Sequence, residues 1–291
     1  MRLKHSKGES VSGGNLFRLT AFSTDPNGGN PAGVWIGETL PTDVEMQRIA
    51  AEVGYSETAF VAPCHGRERI VRYFSPESEV PFCGHATIAA SVAIGNMVGD
   101  CPLSFQTSVG EVPVKVVSRD GMREAAMTSV NPCFEFASPE LVAATLSTLG
   151  WKTSDLDPAI PPARAFAGNW HLVIAVSQLE RLANLSYDFE RLKALMLHES
   201  LTTLQLVWRE DALIFRSRNP FPVGGVVEDP ATGAAAAALG GYLRDANLMS
   251  TPANILIKQG NNIGRPSRLT VEIPVSGGVI VKGTAVEILV E

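Results

Sequence analysis

Two short stretches of the chain share one pattern: VPFCGHAT at residues 80–87 and EDPATGA at residues 228–234. In each, a titratable side chain and a glycine stand where a run of small residues begins a predicted helix. The start of a helix carries unpaired backbone N–H groups and the positive end of the helix dipole. Two such starts facing each other would bind a carboxylate or an enolate without a metal or a cofactor. The pattern therefore predicts a proton-transfer site.

The residues around these stretches predict an α+β fold with the same plan in both halves of the chain. In the first half, strands predicted within 17–129 accompany a helix from His85 to about Met97. In the second half, strands predicted within 170–289 accompany a helix from Thr232 to about Leu248, which is apolar on nearly all sides. Each half is therefore expected to place many strands around one central helix.

Two glycines, Gly240 and Gly241, stand inside the second of these helices. Glycine there costs roughly 1 kcal/mol against alanine. We expect a neighbouring strand to approach the helix closely at this point.

Local signals bound three further helical segments. Thr42 with Glu45 forms a capping box, and the helix is expected from Asp43 to Val53. Ser138, followed by proline, caps another helix. From Ser177 the helical spacing continues towards His198, which predicts one helical segment.

The length of 291 residues favours about two domains. We expect a disordered N-terminus at 1–14, an N-terminal domain at 15–130 and a C-terminal domain of the same plan at 131–278. The last strand, about 279–291, would complete the first domain.

Composition limits the partners of the protein. The chain is 45% hydrophobic and 19% charged, with a net charge of -6 and a pI near 5.5. This balance offers no basic field for phosphate backbones, so nucleic acid is not an expected partner. No apolar run is long enough for a membrane span, and residues 1–10 are too polar for a secretory signal. We expect a cytoplasmic protein that binds no membrane.

Neither the cysteines nor the histidines are spaced like metal ligands, and no glycine-rich nucleotide loop occurs. The cysteines are Cys64, Cys83, Cys101 and Cys133, and the histidines are His5, His65, His85, His171 and His198. We therefore expect no metal, no cofactor and reduced thiols.

Glu57 is the first candidate for proton transfer. Alternation from Tyr55 to Val61 predicts a strand that places Glu57 on a mostly apolar face. Desolvation favours the protonated form of such a carboxylate, which suits a general acid or base near neutral pH. The alternative is that Glu57 lies at a sheet edge or bonds a backbone N–H.

Three further candidates stand at the two helix starts. His85 would be held neutral by the helix dipole, although a purely structural histidine is about equally expected. Asp229 precedes Pro230, so it could simply cap the helix that follows. Cys83 could be a thiol base, because a helix start favours thiolate, but a small buried residue is the plainer interpretation.

These residues, taken in order, resemble the phenazine-biosynthesis PhzF-like family, which shares its fold with diaminopimelate epimerase and proline racemase. The resemblance runs from about Phe17 to the C-terminus. Its motifs are Asp25-Pro26 with Gly29-Asn30-Pro31, Ser56-Glu57-Thr58-Ala59-Phe60, Phe74-Ser75-Pro76, Glu79 to Thr87, and Glu228 to Gly233.

The resemblance implies two similar domains, each a barrel-like, mostly antiparallel sheet around a central helix, with the active site in the cleft between them. It implies a cofactor-independent isomerase in which Glu57 moves a proton between two carbons of a conjugated cyclic acid, assisted by His85 and Asp229. The residues expected to bind the carboxylate-bearing substrate are Asn30, Ser56, Cys83, Gly84, Gly233 and Ala234. The family often has serine where this chain has Ala234, so a side-chain donor is replaced by a backbone N–H alone.

Two other functions remain open, and a homodimer is the expected assembly. One is an epimerase, racemase or dehydratase that uses Cys83, although a second thiol at the other helix start is missing. The other is a non-catalytic protein that binds a small acid or serves as a dimeric scaffold.

Overall fold

A computed structural model describes residues 8–288 of the chain. Contacts group the chain into two units: unit 1 takes the residues up to Thr128 and from Lys282 onwards, and unit 2 takes Ser129–Val281. Both units combine helices and strands, and the fold class is α+β as predicted. Residues 1–7 of the predicted disordered N-terminus lie outside the described residues.

The helices of unit 1 are α1 (Asp43–Val53) and α2 (Gly84–Val98), and those of unit 2 are α3 (Pro139–Leu149), α4 (Leu179–Ala183), α5 (Phe189–His198) and α6 (Gly233–Asp245). The strands of unit 1 are β1 (Glu9–Val11), β2 (Gly14–Ala21), β3 (Asn30–Gly37), β4 (Thr58–Pro63), β5 (Glu68–Phe74), β6 (Glu79–Val80), β7 (Cys101–Thr107), β8 (Gly110–Arg119) and β9 (Met122–Thr128). The strands of unit 2 are β10 (Cys133–Phe136), β11 (Ala163–Phe166), β12 (Trp170–Val176), β13 (Thr203–Asp211), β14 (Ile214–Phe221), β15 (Val226–Asp229), β16 (Ala253–Gln259) and β17 (Ser267–Ile273). The last strand, β18 (Ile280–Glu287), begins in unit 2 and continues into unit 1.

Unit 1 is a closed barrel around α2. Its strands pair in the order β2, β3, β4, β5, β7, β8, β9 and β18, and β18 pairs again with β2. Two of these pairs, β3 with β4 and β5 with β7, are parallel because a helix connects them. Every residue of α2 from His85 to Gly95 is buried, as expected of a helix surrounded by strands.

Unit 2 repeats this plan around α6. Its strands pair in the order β10, β11, β12, β13, β14, β16 and β17, and the parallel pairs are again those bridged by helices. The outermost of these strands, β10 and β17, both contact α6, so the sheet surrounds the helix. The predicted architecture, a mostly antiparallel sheet around a central helix in each half, is therefore confirmed.

Close packing explains the two glycines of α6. A Cβ on Gly240 would lie 3.1 Å from Val271 Cγ1 and 3.2 Å from Ile273 Cγ1, both on β17. A Cβ on Gly241 would overlap the ring of Pro132. The close approach predicted for this helix is confirmed, and one of the two contacts comes from the segment that precedes β10.

The N-terminal segment corrects one prediction. Residues 8–14, expected to be disordered, include β1, which pairs with β2 through a turn at Ser12 and Gly13, both with positive φ. Val11 packs against the core of unit 1, and its carbonyl accepts a hydrogen bond of 2.8 Å from Trp35 Nε1. The apolar contact and the bond to indole outweigh the polar composition of the segment.

The segment 177–198 also differs from the prediction. It contains two helices, α4 and α5, instead of one. Asp188 begins the second of them, since its side chain accepts a hydrogen bond from Arg191 N. Among residues 8–288, none of the helices combines the length and the hydropathy that crossing a bilayer requires.

Candidate functional site

His85 is the centre of a polar cluster at the start of α2 in unit 1. Its Nδ1 lies 3.1 Å from Asn30 Nδ2 and 3.3 Å from Cys83 Sγ. Its Nε2 lies 3.4 Å from Glu57 Oε2 and 3.5 Å from Ser56 Oγ. The fold thus brings together, from three separate segments, five residues that the sequence analysis named for the site.

The partners of His85 determine which nitrogen carries the proton. The amide nitrogen of Asn30 can only donate, and the thiol of Cys83 can donate, so Nδ1 is the acceptor. A neutral His85 therefore carries its proton on Nε2, the nitrogen that faces Glu57. This arrangement allows His85 to donate to the carboxylate or to a ligand beside it.

Glu57 is held close to the barrel interior and has little exposure. Its side chain is 16% exposed, against 7% for that of His85. Although Oε2 lies within ion-pair distance of His85, it has no hydrogen-bond partner among the described residues. A buried carboxylate oxygen without a partner is costly, which is typical of a group kept for a ligand.

The strand that carries Glu57 differs from its prediction. β4 begins at Thr58, and Glu57 stands just before it, joined to the sheet by a bond of 3.1 Å from Gly33 N to its carbonyl. Both faces of β4 are buried from Thr58 to Ala62, so the predicted division of this strand into an apolar and a polar face is wrong. The low exposure of Glu57 comes from its place at the strand end beside α2.

Hydrogen bonds hold the start of α2 in place. The Thr87 hydroxyl donates to the Cys83 carbonyl at 2.7 Å, and Tyr73 Oη lies 2.6 Å from the same hydroxyl. Because Thr87 donates its proton to Cys83, Tyr73 is the donor to Thr87. Burial raises the pKa of Tyr73, which keeps this donor protonated. The chain of bonds fixes the main chain on which Cys83 and His85 stand.

A glycine turn places Asn30 next to His85. Gly29 has a φ of 65°, and a Cβ there would lie 2.5 Å from Thr20 Oγ1 and would also run into the Ala21 carbonyl. Only glycine allows β2 and the turn to approach this closely. Asn30, which follows at the start of β3, is 2% exposed.

In unit 2, Asp229 ends β15 beside the start of α6. The N-cap of α6 is Thr232, so Asp229 does not occupy the cap position that the alternative interpretation gave it. Instead, the Thr232 hydroxyl donates to Asp229 Oδ2 at 2.5 Å. Gly233 and Ala234 are the first two residues of the helix, as predicted from the motif.

The two central helices differ from the other α-helices of the described chain in having no acidic residue in the first turn. Side chains of Thr42, Ser138 and Asp188 cap α1, α3 and α5, and each of these helices has an acidic residue in its first turn. The N-cap residues of α2 and α6 make no side-chain capping bond, and neither helix has an acidic residue in its first turn. An anion at these starts would meet backbone N–H groups without a competing carboxylate on the first turn.

Glu57, Cys83 and His85 also form a group with the residue types that bind divalent metals, their ligand atoms lying within 4.8 Å of one another. The thiol lies 3.3 Å from Nδ1 and 3.8 Å from Nε2, and the carboxylate lies 3.4 Å from Nε2.

Sequence reasoning missed the residues that support the site. Tyr73 and Thr87 in unit 1, and Thr232 and Gln259 in unit 2, act through contacts between separate elements. The only available signal was that Thr232 and Thr87 lie within or beside the two motifs.

Comparison with known proteins gives a consistent result. A family model described as "Phenazine biosynthesis-like protein" (PhzC-PhzF) matches residues 19–290. The uncharacterized isomerase YfhB of Bacillus subtilis is 29% identical over 282 residues, which cover 93% of this chain and 95% of that protein. The trans-2,3-dihydro-3-hydroxyanthranilate isomerase of Pseudomonas aeruginosa is 32% identical over 255 residues, covering 86% of this chain and 87% of that one.

A solved structure supports the same relation. The Bacillus anthracis phenazine biosynthesis protein of the PhzF family superposes with a TM-score of 0.82 at 26% identity, and the match covers 94% of this chain and 96% of that one.

Proposed function

The chain belongs to the phenazine biosynthesis-like (PhzC-PhzF) family of isomerases, and we propose that it moves a proton between two carbons of a small carboxylate-bearing substrate. Glu57 is the general acid and base of this proposal. No metal or cofactor takes part in it.

One observation carries the proposal: Glu57 Oε2 is buried without a hydrogen-bond partner among the described residues, and His85 Nε2 lies 3.4 Å from it. A general base must keep a lone pair available for the proton that it takes. A structural carboxylate in the same place would instead be saturated with hydrogen bonds.

In the proposed reaction, the Glu57 carboxylate takes a proton from a carbon next to a carboxyl or conjugated group. The electron pair of the broken C–H bond moves into the conjugated system and forms an enolate-like intermediate. Glu57 then returns the proton to a different carbon, which shifts the double bond. The Nε2 proton of His85 stabilises the carboxylate of Glu57 or the developing charge on the substrate.

The helix starts would bind the substrate carboxylate. The backbone N–H groups of Gly84 in α2, and of Gly233 and Ala234 in α6, are the proposed donors, since neither helix has an acidic residue in its first turn. Asp229 would orient a polar group of the substrate.

The relatives narrow the choice of test substrate. One of them is named for an isomerase of trans-2,3-dihydro-3-hydroxyanthranilate, a cyclic, conjugated amino acid. We propose cyclic conjugated acids of this kind as the substrate class to be tried first.

Deuterium incorporation tests the proposal. Wild-type protein and Glu57→Gln are incubated in heavy water with trans-2,3-dihydro-3-hydroxyanthranilate and with a panel of small cyclic and amino acids. We expect the wild type to place deuterium on carbon and the Glu57→Gln variant to be at least about 10²-fold slower, since positioned acid–base groups contribute that much.

Glu38→Gln is the matched control, because Glu38 is an exposed glutamate of unit 1 outside the cluster. It should exchange at the wild-type rate. Equal exchange rates for wild type and Glu57→Gln would refute the role of Glu57. Absence of exchange with every compound would favour the alternative of a non-catalytic protein that binds a small acid.

A second candidate rests on the Cys83 thiol, which lies 3.3 Å from His85 Nδ1. A thiol beside an imidazole is the usual arrangement of a nucleophile or base activated by histidine. Cys83→Ala separates the two candidates: an epimerase, racemase or dehydratase that uses Cys83 would lose its activity, whereas the isomerase would keep most of its rate.

A further inference from the structure

Gln259 is a buried amide that bonds both ends of the segment from Asp229 to Thr232 in unit 2. It ends β16 and is 1% exposed. Its Nε2 lies 2.8 Å from the Asp229 carbonyl and 3.0 Å from Thr232 Oγ1, and its Oε1 accepts from Thr232 N at 3.2 Å. Both ends of the amide are used on the segment that leads into α6.

The direction of these bonds is determined by the main chain. A backbone N–H can only donate and a carbonyl can only accept, so Thr232 N and the Asp229 carbonyl fix the orientation of the Gln259 amide. Gln259 must then donate to the Thr232 hydroxyl, and that hydroxyl donates to Asp229 Oδ2 at 2.5 Å. The result is a directed chain from Gln259 through Thr232 to the Asp229 carboxylate.

Gly260 brings Gln259 into this position. It has a φ of 76°, and a Cβ there would lie 2.7 Å from the Pro230 carbonyl and would overlap the Arg265 carbonyl. The turn after β16 therefore packs directly on the residue that follows Asp229, and only glycine fits there. The segment from Asp229 to Thr232 is held on its main chain as well as on its side chains.

We propose that Gln259 and Thr232 are positioning residues that orient the Asp229 carboxylate towards the substrate. The inference rests on the proposed function, in which Asp229 contacts the substrate. It goes beyond that function by assigning a role to two residues that the proposed reaction does not use. A general structural role is the competing explanation, because a buried hydrogen-bonded amide also stabilises a fold.

Four variants of the full-length protein separate the two explanations. Thr232→Val keeps nearly the same shape but loses the hydroxyl donor, and Thr232→Ser restores it. Gln259→Met removes all three bonds of the amide at a similar length. Gln47→Met is the matched control in unit 1, since Gln47 Nε2 also donates to a main-chain carbonyl, that of Ser75 at 2.9 Å.

The measurements are kcat and KM for deuterium incorporation, together with the urea midpoint of unfolding. We expect Thr232→Val and Gln259→Met to lower kcat by about ten- to hundredfold with KM changed less than about threefold, the effect of a lost bond to a charged group. Thr232→Ser should recover most of kcat, and Gln47→Met should keep it. Variants that lower the urea midpoint but keep kcat would overturn the proposal.

The same assay separates failure of this inference from failure of the proposed function. A wild type that exchanges no tested compound would refute the proposed function, and with it the inference that rests on it. A wild type that exchanges, while Thr232→Val and Gln259→Met keep its kcat, would refute the inference alone. Hydrogen exchange of the Thr232 amide, whose acceptor is Gln259 Oε1, checks that Gln259→Met has loosened the segment.

Discussion

At the scale of single residues, Glu57 and His171 show how burial leads to different roles. Both have a buried atom without a hydrogen-bond partner among the described residues, Glu57 Oε2 and His171 Nε2. Glu57 keeps 16% side-chain exposure, and His85 contacts it. His171 is fully buried, and its Nδ1 lies 2.8 Å from Thr203 Oγ1. We assign chemistry to Glu57 because a ligand can reach it, and structural packing to His171.

The buried histidine predicts a pH dependence of stability. Burial lowers the pKa of His171 from 6.5 to about 3. Below pH 6.5, His171 binds a proton in the unfolded chain but stays neutral in the folded chain. Stability that is present above that pH is therefore lost as the pH falls towards 3. The free energy of unfolding should fall by up to about 1.4 kcal/mol per pH unit in this window from His171 alone.

Urea denaturation of wild type and His171→Asn across this window measures the effect. Asparagine keeps an acceptor near Thr203 Oγ1 but does not titrate, so the free energy of unfolding of the variant should depend less steeply on pH. The variant should also be less stable than wild type at neutral pH. His65→Gln, a change at an exposed histidine, is the control and should keep the wild-type slope. Parallel slopes for His171→Asn and wild type would contradict the prediction.

At the scale of elements, a helix could be predicted well when the residues that begin and end it are adjacent to it in sequence. The bounds of α1 were predicted correctly from its neighbours: the Thr42 side chain accepts from Glu45 N, and Gly54 ends the helix with a φ of 70°. The break between α4 and α5 was missed, although Asp188 is a local cap signal. The strand β4 was predicted to begin at Tyr55 but begins at Thr58, because alternation does not distinguish a strand from the turn that precedes it.

The site followed the same rule. Its residues could be named because they lie in short motifs, namely Gly29-Asn30-Pro31, Ser56-Glu57 and the two stretches at 80–87 and 228–234. Their contacts could not, since Asn30 and His85 are 55 positions apart and meet only through the barrel. Gln259 was not identified because a glutamine at a strand end has no local pattern that distinguishes it from a surface residue.

The packing of α6 predicts a contrast between two neighbouring glycines. Gly241→Ala should lower the free energy of unfolding by about 1–2 kcal/mol, because the new methyl group overlaps the rigid Pro132 ring and overpacking outweighs the gain in helix propensity. Gly240→Ala meets flexible side chains at 3.1 Å or more and should change stability little. Urea denaturation measures the free energy of unfolding of both variants. Equal stability of the two would contradict the prediction and show that the Pro132 ring moves to accommodate the methyl group.

At the scale of the whole molecule, the repeated plan assigns the last strand to the first unit. β18 pairs with β2 and β9, so the barrel of unit 1 closes only when the C-terminal residues are present. A chain that ends at Val281 should therefore lose amide protection in β2, while β12 and β13 keep theirs.

Hydrogen exchange with mass spectrometry measures this difference. A chain that ends at Ile288, the last described residue, is the matched control and should retain protection in β2. Loss of protection spread evenly over both units would contradict the prediction.

The bare starts of α2 and α6 have a practical consequence for biochemical assays. Phosphate and sulfate bind readily to the N–H groups of a helix start. Glu57 and Asp229 stand beside these two starts, but neither helix has an acidic residue within its first turn. Either oxyanion in a buffer would compete with a weakly bound compound and conceal it. A ligand screen in a zwitterionic amine buffer, with chloride as the sole counterion, would therefore detect weak ligands that a screen in phosphate buffer misses.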